Sequence, residues 1–595
     1  MPHRLLPTLL WFVRVLIIAF IVINHLGLLA VCWLLPYEQF VELLLSFYGK
    51  TELLEAVQAK WLTFEKFQIV RWFALLSLTI SFSVIRQWLW TQATFQQLFK
   101  PLGAFFGHTV WLWQQLDKSQ KRGFCLSIGF ILAYRLGVAF YFPVLIDEAF
   151  SFVYFVKQGP LVTAAYYPGP NNHIFYNLIA AAAYKIIPHP EVAMRVVSGF
   201  FGLMTLGLLG VWLLRKVGYW ATMVAIWVLA FLPYELIYSV QGRGYSLQVF
   251  LFLWGWISFQ HYYAGYTPHY WRQSWIAAMI LSLYTLPSSL YFFLSLGVWA
   301  SFSVSRSKLL LFFKDAVWIV MLSFMLYFPV FLISGWRTVV QNDWVVRLPW
   351  GVWLSKFPLY FVNVWNDLLI DNIGILFPLL GFTMVGWLLN YKKVRLQHSR
   401  LMVQAIFLIA FPWVLLWVQG VLPPARIWIY LSVPAVVLLA CVLRYTLQPP
   451  YRLRAVFLVG LLIALTTTVW IQAIRYHDEV PQQFAASIAK SGKFQQIYAN
   501  EDHYRVMLAY EFARRNQPLE MATGFAPSGV KRYDLVVLSK SQPLPHHWPS
   551  DQYTLFWENK QVQAYTPPRK PTRFVFYHPQ KDFSFALLFP QYMPL

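Results

Sequence analysis

Charged residues are scarce in this chain, and acidic residues are the scarcest of them. Only 12% of the 595 residues are charged, with 24 Asp and Glu against 47 Lys and Arg. A soluble protein of this length carries roughly twice that charged fraction. Mean hydropathy is positive, and apolar runs of about 18 or more residues recur, each long enough to cross a ~30 Å hydrocarbon core. The shortage of charge excludes an ordinary soluble protein and predicts an all-α polytopic membrane protein.

Cysteine is nearly absent, which removes a second set of functions. Cys32, Cys125 and Cys441 lie in apolar runs without CxxC or Cys/His spacing, so the sequence predicts neither a disulfide framework nor a zinc site. A net charge of +23 would suggest nucleic acid in a soluble chain. Here the basic residues cluster in short loops and form no basic domain or stripe, so nucleic acid is not an expected partner.

The distribution of basic residues predicts topology. Candidate spans are 11–35, 69–90, 124–144, 193–214, 219–238, 245–262, 274–286, 288–304, 315–334, 372–389, 401–419, 426–442 and 454–470. The short segments on either side of Pro287 are an ambiguity, since they could form one kinked helix. With about 13 transmembrane helices and the N-terminus inside, every basic loop cluster falls on the cytoplasmic side, so the charge rule favours thirteen. The first apolar stretch is long and lacks a small-x-small cleavage site, which favours a retained helix over a signal peptide.

The last part of the chain has the sequence pattern of a small soluble domain. Strands are predicted at 496–499 and 534–538, a helix at 502–515, and a hairpin from 553–556 and 562–565. We therefore expect three regions. Residues 1–123 form two transmembrane helices and a cytoplasmic loop, 124–470 form a transmembrane catalytic module, and 471–595 form a small soluble extracytoplasmic α/β domain.

An acidic pair follows the third predicted span. Asp147 and Glu148 come just after the run 124–144 and so lie at a membrane–water boundary, where a general base could meet a lipid-borne substrate. Pro143 predicts a break in the helix there. The competing interpretation is that the pair caps the helix that follows, because acids favour its positive N-terminal end. Capping explains the presence of one acidic residue well and the presence of the second poorly.

The loop Pro170-Asn171-Asn172-His173 is the second polar feature on the same face. Pro and Asn favour a turn and a helix start, but such a turn has no need of a histidine. His173 adds a titratable group or a metal ligand. Carboxylates with one histidine are able to bind a divalent cation, although the spacing matches no established zinc pattern. No cofactor is certain, and a divalent cation stays open.

Arginines at the outer ends of predicted spans are the third feature. Arg195, Arg243 and Arg426 each open a span from outside, where the positive-inside rule makes arginine unexpected. A phosphate at the outer leaflet would explain them, since guanidinium groups bind phosphate oxygens in a bidentate manner. The alternative is snorkelling to lipid headgroups. Arg135 differs because it lies within a span, and it should have a buried partner there.

In this order the motifs resemble the GT-C superfamily of integral-membrane glycosyltransferases, near the protein mannosyltransferase and aminoarabinose transferase-like branch. The matching pieces are Asp147-Glu148-Ala149, Pro170-Asn171-Asn172-His173, Arg195-Val196-Val197-Ser198, and Tyr238-Ser239 followed by Arg243-Gly244-Tyr245. They span about 124–304 and extend more loosely to Arg426. Two features depart from the family pattern: two helices precede the motif-bearing one, and Gln241 stands where relatives often carry an acid.

The resemblance implies an inverting transfer at the outer face, from a polyprenyl-phosphate-linked sugar to an acceptor hydroxyl of a glycan, lipid or protein. It implies that Asp147 or Glu148 is the catalytic base, and we assign the base to Asp147. Asn172, His173, Arg195, Arg243, Tyr245 and Arg426 are the expected substrate- and phosphate-binding residues. The expected location is a cell membrane, most simply a bacterial inner membrane, with the active site facing outward.

Two other classes stay open. A polymerase or ligase of lipid-linked glycans shares the lipid-phosphate chemistry and would centre on the long outer loop 335–371, with Arg337 and Arg347. A lipid or solute transporter would need charges along a path through the bundle, whereas beyond Arg135 the ionisable residues crowd one face.

Overall fold

The computed structural model describes residues 22–23, 26–27, 29–46, 54–56, 58–59, 62–90, 107, 109–263, 270–340, 345–369, 391–446, 460, 480–522, 533–542, 544–545 and 552–568. Most of the described chain is helical. The α-helices are α1 (Tyr37–Ser46), α2 (Leu54–Ala56), α3 (Phe64–Trp90), α4 (Lys118–Tyr141), α5 (Ile146–Ser151), α6 (Pro160–Ala165), α7 (Ile174–Ile186), α8 (Pro190–Val217), α9 (Tyr219–Phe231), α10 (Pro233–Val240), α11 (Tyr245–Tyr263), α12 (Tyr270–Thr285), α13 (Ser289–Ser303), α14 (Arg306–Ile333), α15 (Arg337–Val340), α16 (Trp350–Leu369), α17 (Tyr391–Gln419), α18 (Ser432–Thr446) and α19 (Asp502–Arg514). A π-helical turn at Phe152–Val156 continues α5, and a 3₁₀ helix at Ala425–Leu431 precedes α18.

The membrane character of the helices is confirmed within the described residues. Five of them are long and apolar enough to cross a membrane, namely Lys118–Tyr141, Pro190–Val217, Arg306–Ile333, Arg400–Gln419 and Ala425–Arg444. A sixth span is possible if α9 and α10 count as one. The predicted spans 11–35, 372–389 and 454–470 lie largely or wholly outside the described residues. The count of thirteen therefore stays a prediction.

Two prolines mark the breaks in the bundle. The predicted single span 219–238 is wrong in detail, because α9 and α10 meet at Leu232 and Pro233 with a bend of 63°. Proline lacks the N–H that a helix interior needs, and its ring disfavours helical backbone at the preceding residue. At Pro287 the two-helix alternative is confirmed, since α12 ends at Thr285 and α13 begins at Ser289.

The main apolar core lies among the helices from α8 to α18, with Leu209, Trp256 and Trp428 fully buried in it. Arg135 of α4 is buried at its edge, and its Nη2 donates to the carbonyl oxygen of Ala230 at 3.1 Å. The Glu235 carboxylate of α10 also acts on it electrostatically. The predicted buried partner of Arg135 is thus a backbone carbonyl together with a nearby carboxylate.

The C-terminal region forms a small α/β unit, as the sequence predicts. Five strands, β1 (Gln496–Ala499), β2 (Glu520–Ala522), β3 (Leu535–Ser539), β4 (Thr554–Glu558) and β5 (Val562–Thr566), pair in the order β2-β1-β3-β5-β4. β1 is parallel to β2 and β3, while β5 is antiparallel to β3 and β4, with a register shift between Leu555 and Trp557. Every residue of β3 is buried, which explains its continuous apolar sequence. Helix α19 packs between this sheet and α5.

Candidate active site

The acidic pair lies within α5, directly after the exit of α4. Backbone at Phe142 and Leu145 is extended, and Leu145 is the N-cap of α5 without a side-chain cap hydrogen bond. Neither acid is therefore the N-cap. Because adjacent helical residues point about 100° apart, the two carboxylates face different partners.

Glu148 is enclosed. Its side chain is 1% exposed, and Arg195 Nε and Nη2 donate to its two oxygens at 3.0 and 2.9 Å. The backbone N–H of Gly242 also donates to Oε1, at 3.0 Å. Glu148 thus joins α5 to α8 and to the turn that leads into α11. An enclosed, fully paired carboxylate is suited to holding structure, not to meeting an acceptor.

Arg195 has no donor left for a ligand. Besides the two bonds to Glu148, Nη1 donates to the carbonyl oxygens of Ala139 and Phe142 at 2.7 and 2.9 Å. Nη2 also donates to Pro143 O at 3.1 Å. A guanidinium carries five N–H donors, and all five are used at the carbonyl-rich end of α4. The predicted phosphate-binding role of Arg195 therefore has no support in this geometry, and neither does a proton-transfer role for Glu148.

Asp147 is open by comparison, with 20% of its side chain exposed. Asn171 Nδ2 donates to Oδ1 at 3.1 Å, and Arg426 Nη1 donates to Oδ2 at 2.8 Å. Arg243 Nη2 lies 3.9 Å from Oδ2. Burial alone would raise the pKa of Asp147, but Arg243, Arg426 and the Asn171 hydrogen bond together hold that pKa below its usual range. Asp147 is consequently an ionised carboxylate at a partly open surface.

Arg243 is buried beneath Asp147 and braces the surrounding loops. Nη1 donates to Ser151 Oγ at 2.7 Å and to the backbone oxygens of Asp147 and Asn171 at 3.1 and 3.2 Å. Nη2 donates to Asn171 Oδ1 at 3.0 Å and lies 3.2 Å from His173 Nε2. Only 1% of its side chain is exposed. Arg243 therefore supplies positive potential and a fixed loop geometry more readily than a direct phosphate contact.

Arg426 is the arginine with donors to spare. It stands at the start of the 3₁₀ helix after Pro423 and Pro424, and 27% of its side chain is exposed. One N–H group is used on Asp147, and its other donors make no hydrogen bond to another residue of the described chain. Of the three arginines singled out in the sequence, Arg426 is the most exposed and the one with donors left unused by the described residues.

His173 and Tyr245 lie behind the acidic residue. His173 is buried, its Nδ1 accepts the Gly244 N–H at 2.9 Å, and the edge of its ring meets Tyr245 at 4.8 Å between centroids. Burial, followed by Arg243 and Arg426, holds the pKa of His173 well below its usual value, so the imidazole is neutral. The sequence placed His173 on the outer face as a titratable group. It is instead an internal acceptor that fixes the Gly244 turn.

The asparagine of the loop that contacts Asp147 is Asn171, not the predicted Asn172. Asn172, the predicted ligand, is buried and donates to the Thr163 and Tyr166 carbonyl oxygens at 2.8 and 2.9 Å, while Asn177 donates to its Oδ1. This amide holds the loop, so the geometry gives no support to its predicted role as a substrate ligand. Asn171, which the sequence did not single out as a ligand, is the one that contacts Asp147. In a loop without regular periodicity, spacing does not tell which of two adjacent side chains faces the site.

Two glycines allow the turn beside the acids. A Cβ at Gly242 would lie 2.7 Å from Met194 Cβ and 2.8 Å from Glu148 Oε1. A Cβ at Gly244 would lie 2.9 Å from both His173 Cβ and Nδ1. A side chain at Gly242 would therefore displace Glu148 or Met194, and one at Gly244 would displace His173.

A cation site does not emerge from this set. Among the described residues, no group of three or more His, Cys, Asp or Glu side chains is arranged to hold a metal ion. Glu148 is bound by Arg195, His173 accepts the Gly244 N–H, and Asp147 is paired with Arg426.

The described residues thus place a carboxylate between two arginines just beyond the end of an apolar helix, on a helical domain that carries a small C-terminal sheet. No protein-family model matches the sequence, and comparison with curated proteins gives no significant match. Among solved structures, the chain is similar to ArnT from Cupriavidus metallidurans in the apo state, at 13% identity and a TM-score of 0.50, covering 75% of this chain and 98% of that one. The same ArnT bound to undecaprenyl phosphate is similar at 12% identity, with the same TM-score and coverage. At this identity the likeness confirms the predicted GT-C fold and carries no substrate with it.

Proposed function

We propose that the chain is a membrane glycosyltransferase that moves a sugar from a polyprenyl-phosphate donor to an acceptor hydroxyl. The single observation that carries the proposal is the contact of Arg426 with Asp147 at 2.8 Å, where one side chain retains N–H donors unused by the described residues and the other is a partly exposed carboxylate. The GT-C fold supports it, as does the ArnT structure whose bound molecule is undecaprenyl phosphate.

The chemistry assigns one task to each side chain. Asp147 takes the proton of the acceptor hydroxyl as that oxygen attacks the anomeric carbon. The bond from that carbon to the phosphate oxygen breaks, and the leaving phosphate gains negative charge. Arg426, with the buried charge of Arg243 behind it, stabilises that charge in a site of low dielectric. Attack opposite the leaving group inverts the anomeric configuration.

Glu148 and Arg195 position these groups without touching the substrate. Their paired side chains connect the end of α4, the start of α8 and the Gly242 turn, so that Arg243 reaches beneath Asp147. Tyr245, which packs against His173, remains a proposed substrate contact.

We further propose the setting that the basic loops imply. In this setting residues 124–470 form the catalytic module. Thirteen spans with the N-terminus inside would place Asp147 and the domain 471–595 on the outer face of a cell membrane, most simply a bacterial inner membrane. The ligase alternative has less support, because Arg337 and Arg347 are exposed and neither contacts Asp147. No observation on the described residues favours a transport path.

The proposal is tested with purified protein in lipid nanodiscs, offered a panel of polyprenyl-phosphate-linked hexoses and pentoses together with an envelope lipid and glycan extract as acceptor. We expect release of polyprenyl phosphate from at least one donor, and a product whose anomeric configuration is the opposite of the donor's. If none of the donors is consumed, or if the configuration is retained, the proposed reaction is wrong.

A further inference from the structure

A cavity lies where the C-terminal domain meets the end of α4. Its volume is about 310 Å³, within the range of about 300–1,000 Å³ that small-molecule sites occupy. Its walls come from the end of α4 and the backbone after it, the first turn of α8, helix α19 and a helical segment at 480–491. Gln482 of that segment accepts the backbone N–H of Val144 at 3.2 Å. The cavity is therefore shared between the membrane helices and the C-terminal domain.

Charged groups of both signs line this cavity. Arg514 Nη1 pairs with Glu191 Oε1 at 2.7 Å and lies 3.7 Å from Glu511 Oε1. Tyr510 also donates to Glu191 Oε1, at 3.3 Å. Within the described part of the chain, Arg514 Nε and Nη2 and Glu191 Oε2 make no hydrogen bond or ion pair. The Glu511 carboxylate is buried deeper, at 1% exposure. The cavity thus offers cationic donors and an anionic acceptor side by side.

Two exposed aromatic residues line the cavity at the end of α4. Phe140 and Tyr141 are 82% and 73% exposed, and they end a helix that is long and apolar enough to cross a membrane. Aromatic rings at the end of a span lie at the headgroup level of a bilayer. The cavity therefore has an apolar edge at the membrane surface and a charged interior, which is the pattern of a lipid headgroup site.

We propose that this cavity binds the phosphoethanolamine headgroup of a phospholipid, which thereby ties the C-terminal domain to the membrane helices. The lipid phosphate accepts hydrogen bonds from Nε and Nη2 of Arg514, since a guanidinium binds two phosphate oxygens at once. The primary ammonium donates to Glu191 Oε2, with the negative charge of Glu511 behind it. The acyl chains leave past Phe140 and Tyr141. This site goes beyond the proposed transfer reaction and does not depend on it.

Other common headgroups match this lining less well. Phosphatidylglycerol carries a phosphate for Arg514 but brings no cation to Glu191. Phosphatidylcholine carries a cation, but its trimethylated nitrogen has no N–H to donate. A primary ammonium supplies both the positive charge and the N–H groups, and hydrogen bonds between charged groups are the stronger ones. The lining therefore predicts selection among phospholipids by their nitrogen.

The test is native mass spectrometry of the full chain, titrated in detergent with phosphatidylethanolamine, phosphatidylcholine or phosphatidylglycerol of identical acyl chains. We expect phosphatidylethanolamine to bind roughly tenfold more tightly than the other two, because only it completes the contact with Glu191. Soluble glycerophosphoethanolamine, which has no acyl chains, is titrated in parallel and should bind more weakly. If it binds as tightly as the lipid, the ligand is a soluble phosphoethanolamine compound and the lipid tether is wrong.

Three variants assign the preference to the cavity. Glu191→Gln keeps an oxygen for Tyr510 but loses the charge, so it should lose the preference for phosphatidylethanolamine over phosphatidylcholine. Arg514→Gln should weaken binding of all three phospholipids. Arg505→Gln is the matched control, because Arg505 lies on the same helix, pairs with Asp502 and does not line the cavity.

Unfolding midpoints of the lipid-free proteins identify any variant that fails to fold. Equal affinity of the parent protein for the three phospholipids would overturn the inference, whatever the variants do. A preference that persists unchanged in folded Glu191→Gln and Arg514→Gln would place the lipid elsewhere on the protein and overturn it as well. Because the readout is lipid binding, neither result bears on whether the protein transfers a sugar.

Discussion

Asp147 and Glu148 are adjacent in sequence and chemically alike, yet their surroundings are opposites. Glu148 is 1% exposed and bound by a guanidinium that has no other free donor, whereas Asp147 is 20% exposed and shares a guanidinium that is 27% exposed itself. The same contrast separates Arg195 from Arg426. One acid–arginine pair is closed and holds three chain segments together, and the other is partly open to solvent. Two carboxylates next to each other take different roles because their environments differ.

The largest expected effect on stability comes from breaking the closed pair. Arg195→Ala leaves the Glu148 carboxylate buried without its partner, which typically costs about 3–5 kcal/mol. The matched change in the open pair, Arg426→Ala, should cost less, because the Arg426–Asp147 pair is partly open to solvent and Asp147 keeps Asn171 as a partner. Thermal unfolding of both variants in the same detergent measures the difference. If both variants lose the same amount of stability, the closed and the open pair do not differ in their contribution to folding.

Filling the turn that joins the pairs should have the next largest effect. Gly242→Ala places a Cβ against Met194 and Glu148 Oε1, and overpacking of this kind typically costs about 1–3 kcal/mol. Gly207→Ala in α8 is the control, since nothing lies within 4 Å of its Cβ position. The unfolding midpoint should fall for Gly242→Ala and stay level or rise for Gly207→Ala. An unchanged unfolding midpoint in Gly242→Ala would show that the turn has room for a Cβ atom.

A change in the open pair should weaken binding of the donor lipid. Arg426→Gln removes a charge-assisted phosphate contact, and such bonds contribute about 1.5–3 kcal/mol, so the Kd for undecaprenyl phosphate should rise roughly tenfold or more. Arg337→Gln, at an exposed arginine of the short helix α15, serves as the control and should bind normally. Direct binding to nanodisc-embedded protein is the measurement. Unchanged affinity in Arg426→Gln would remove the proposed phosphate ligand.

The smallest expected effect concerns pH. The folded-state pKa of His173 is lowered below that of the unfolded chain, so the unfolded state binds more protons as pH falls below about 6.5. Stability should therefore decline by about 1 kcal/mol between pH 6.5 and 5.5, and less in His173→Asn, whose amide oxygen can replace the Nδ1 acceptor. Unfolding midpoints at the two pH values give the slope. An equal slope in both proteins would assign the decline to another group.

Much of this site was predictable from sequence because its parts occur at helix ends. Asp147, Arg243 and Arg426 stand where apolar runs stop, and the topology brings those ends to one face. The sequence does not show that Arg195 binds the carbonyl oxygens of α4, since backbone acceptors leave no residue signature. Pro233 did give a signal for the break in the span 219–238, and a proline rule would have found it.

The most direct test of the account is the single-turnover rate of Asp147→Asn, measured beside its unfolding midpoint and its affinity for undecaprenyl phosphate. Loss of a general base typically lowers the rate about 10²–10⁴-fold, and we expect that loss with the midpoint unchanged and donor affinity kept within a few-fold. If Asp147→Asn folds, binds the donor and still transfers the sugar at the parent rate, Asp147 is not the general base.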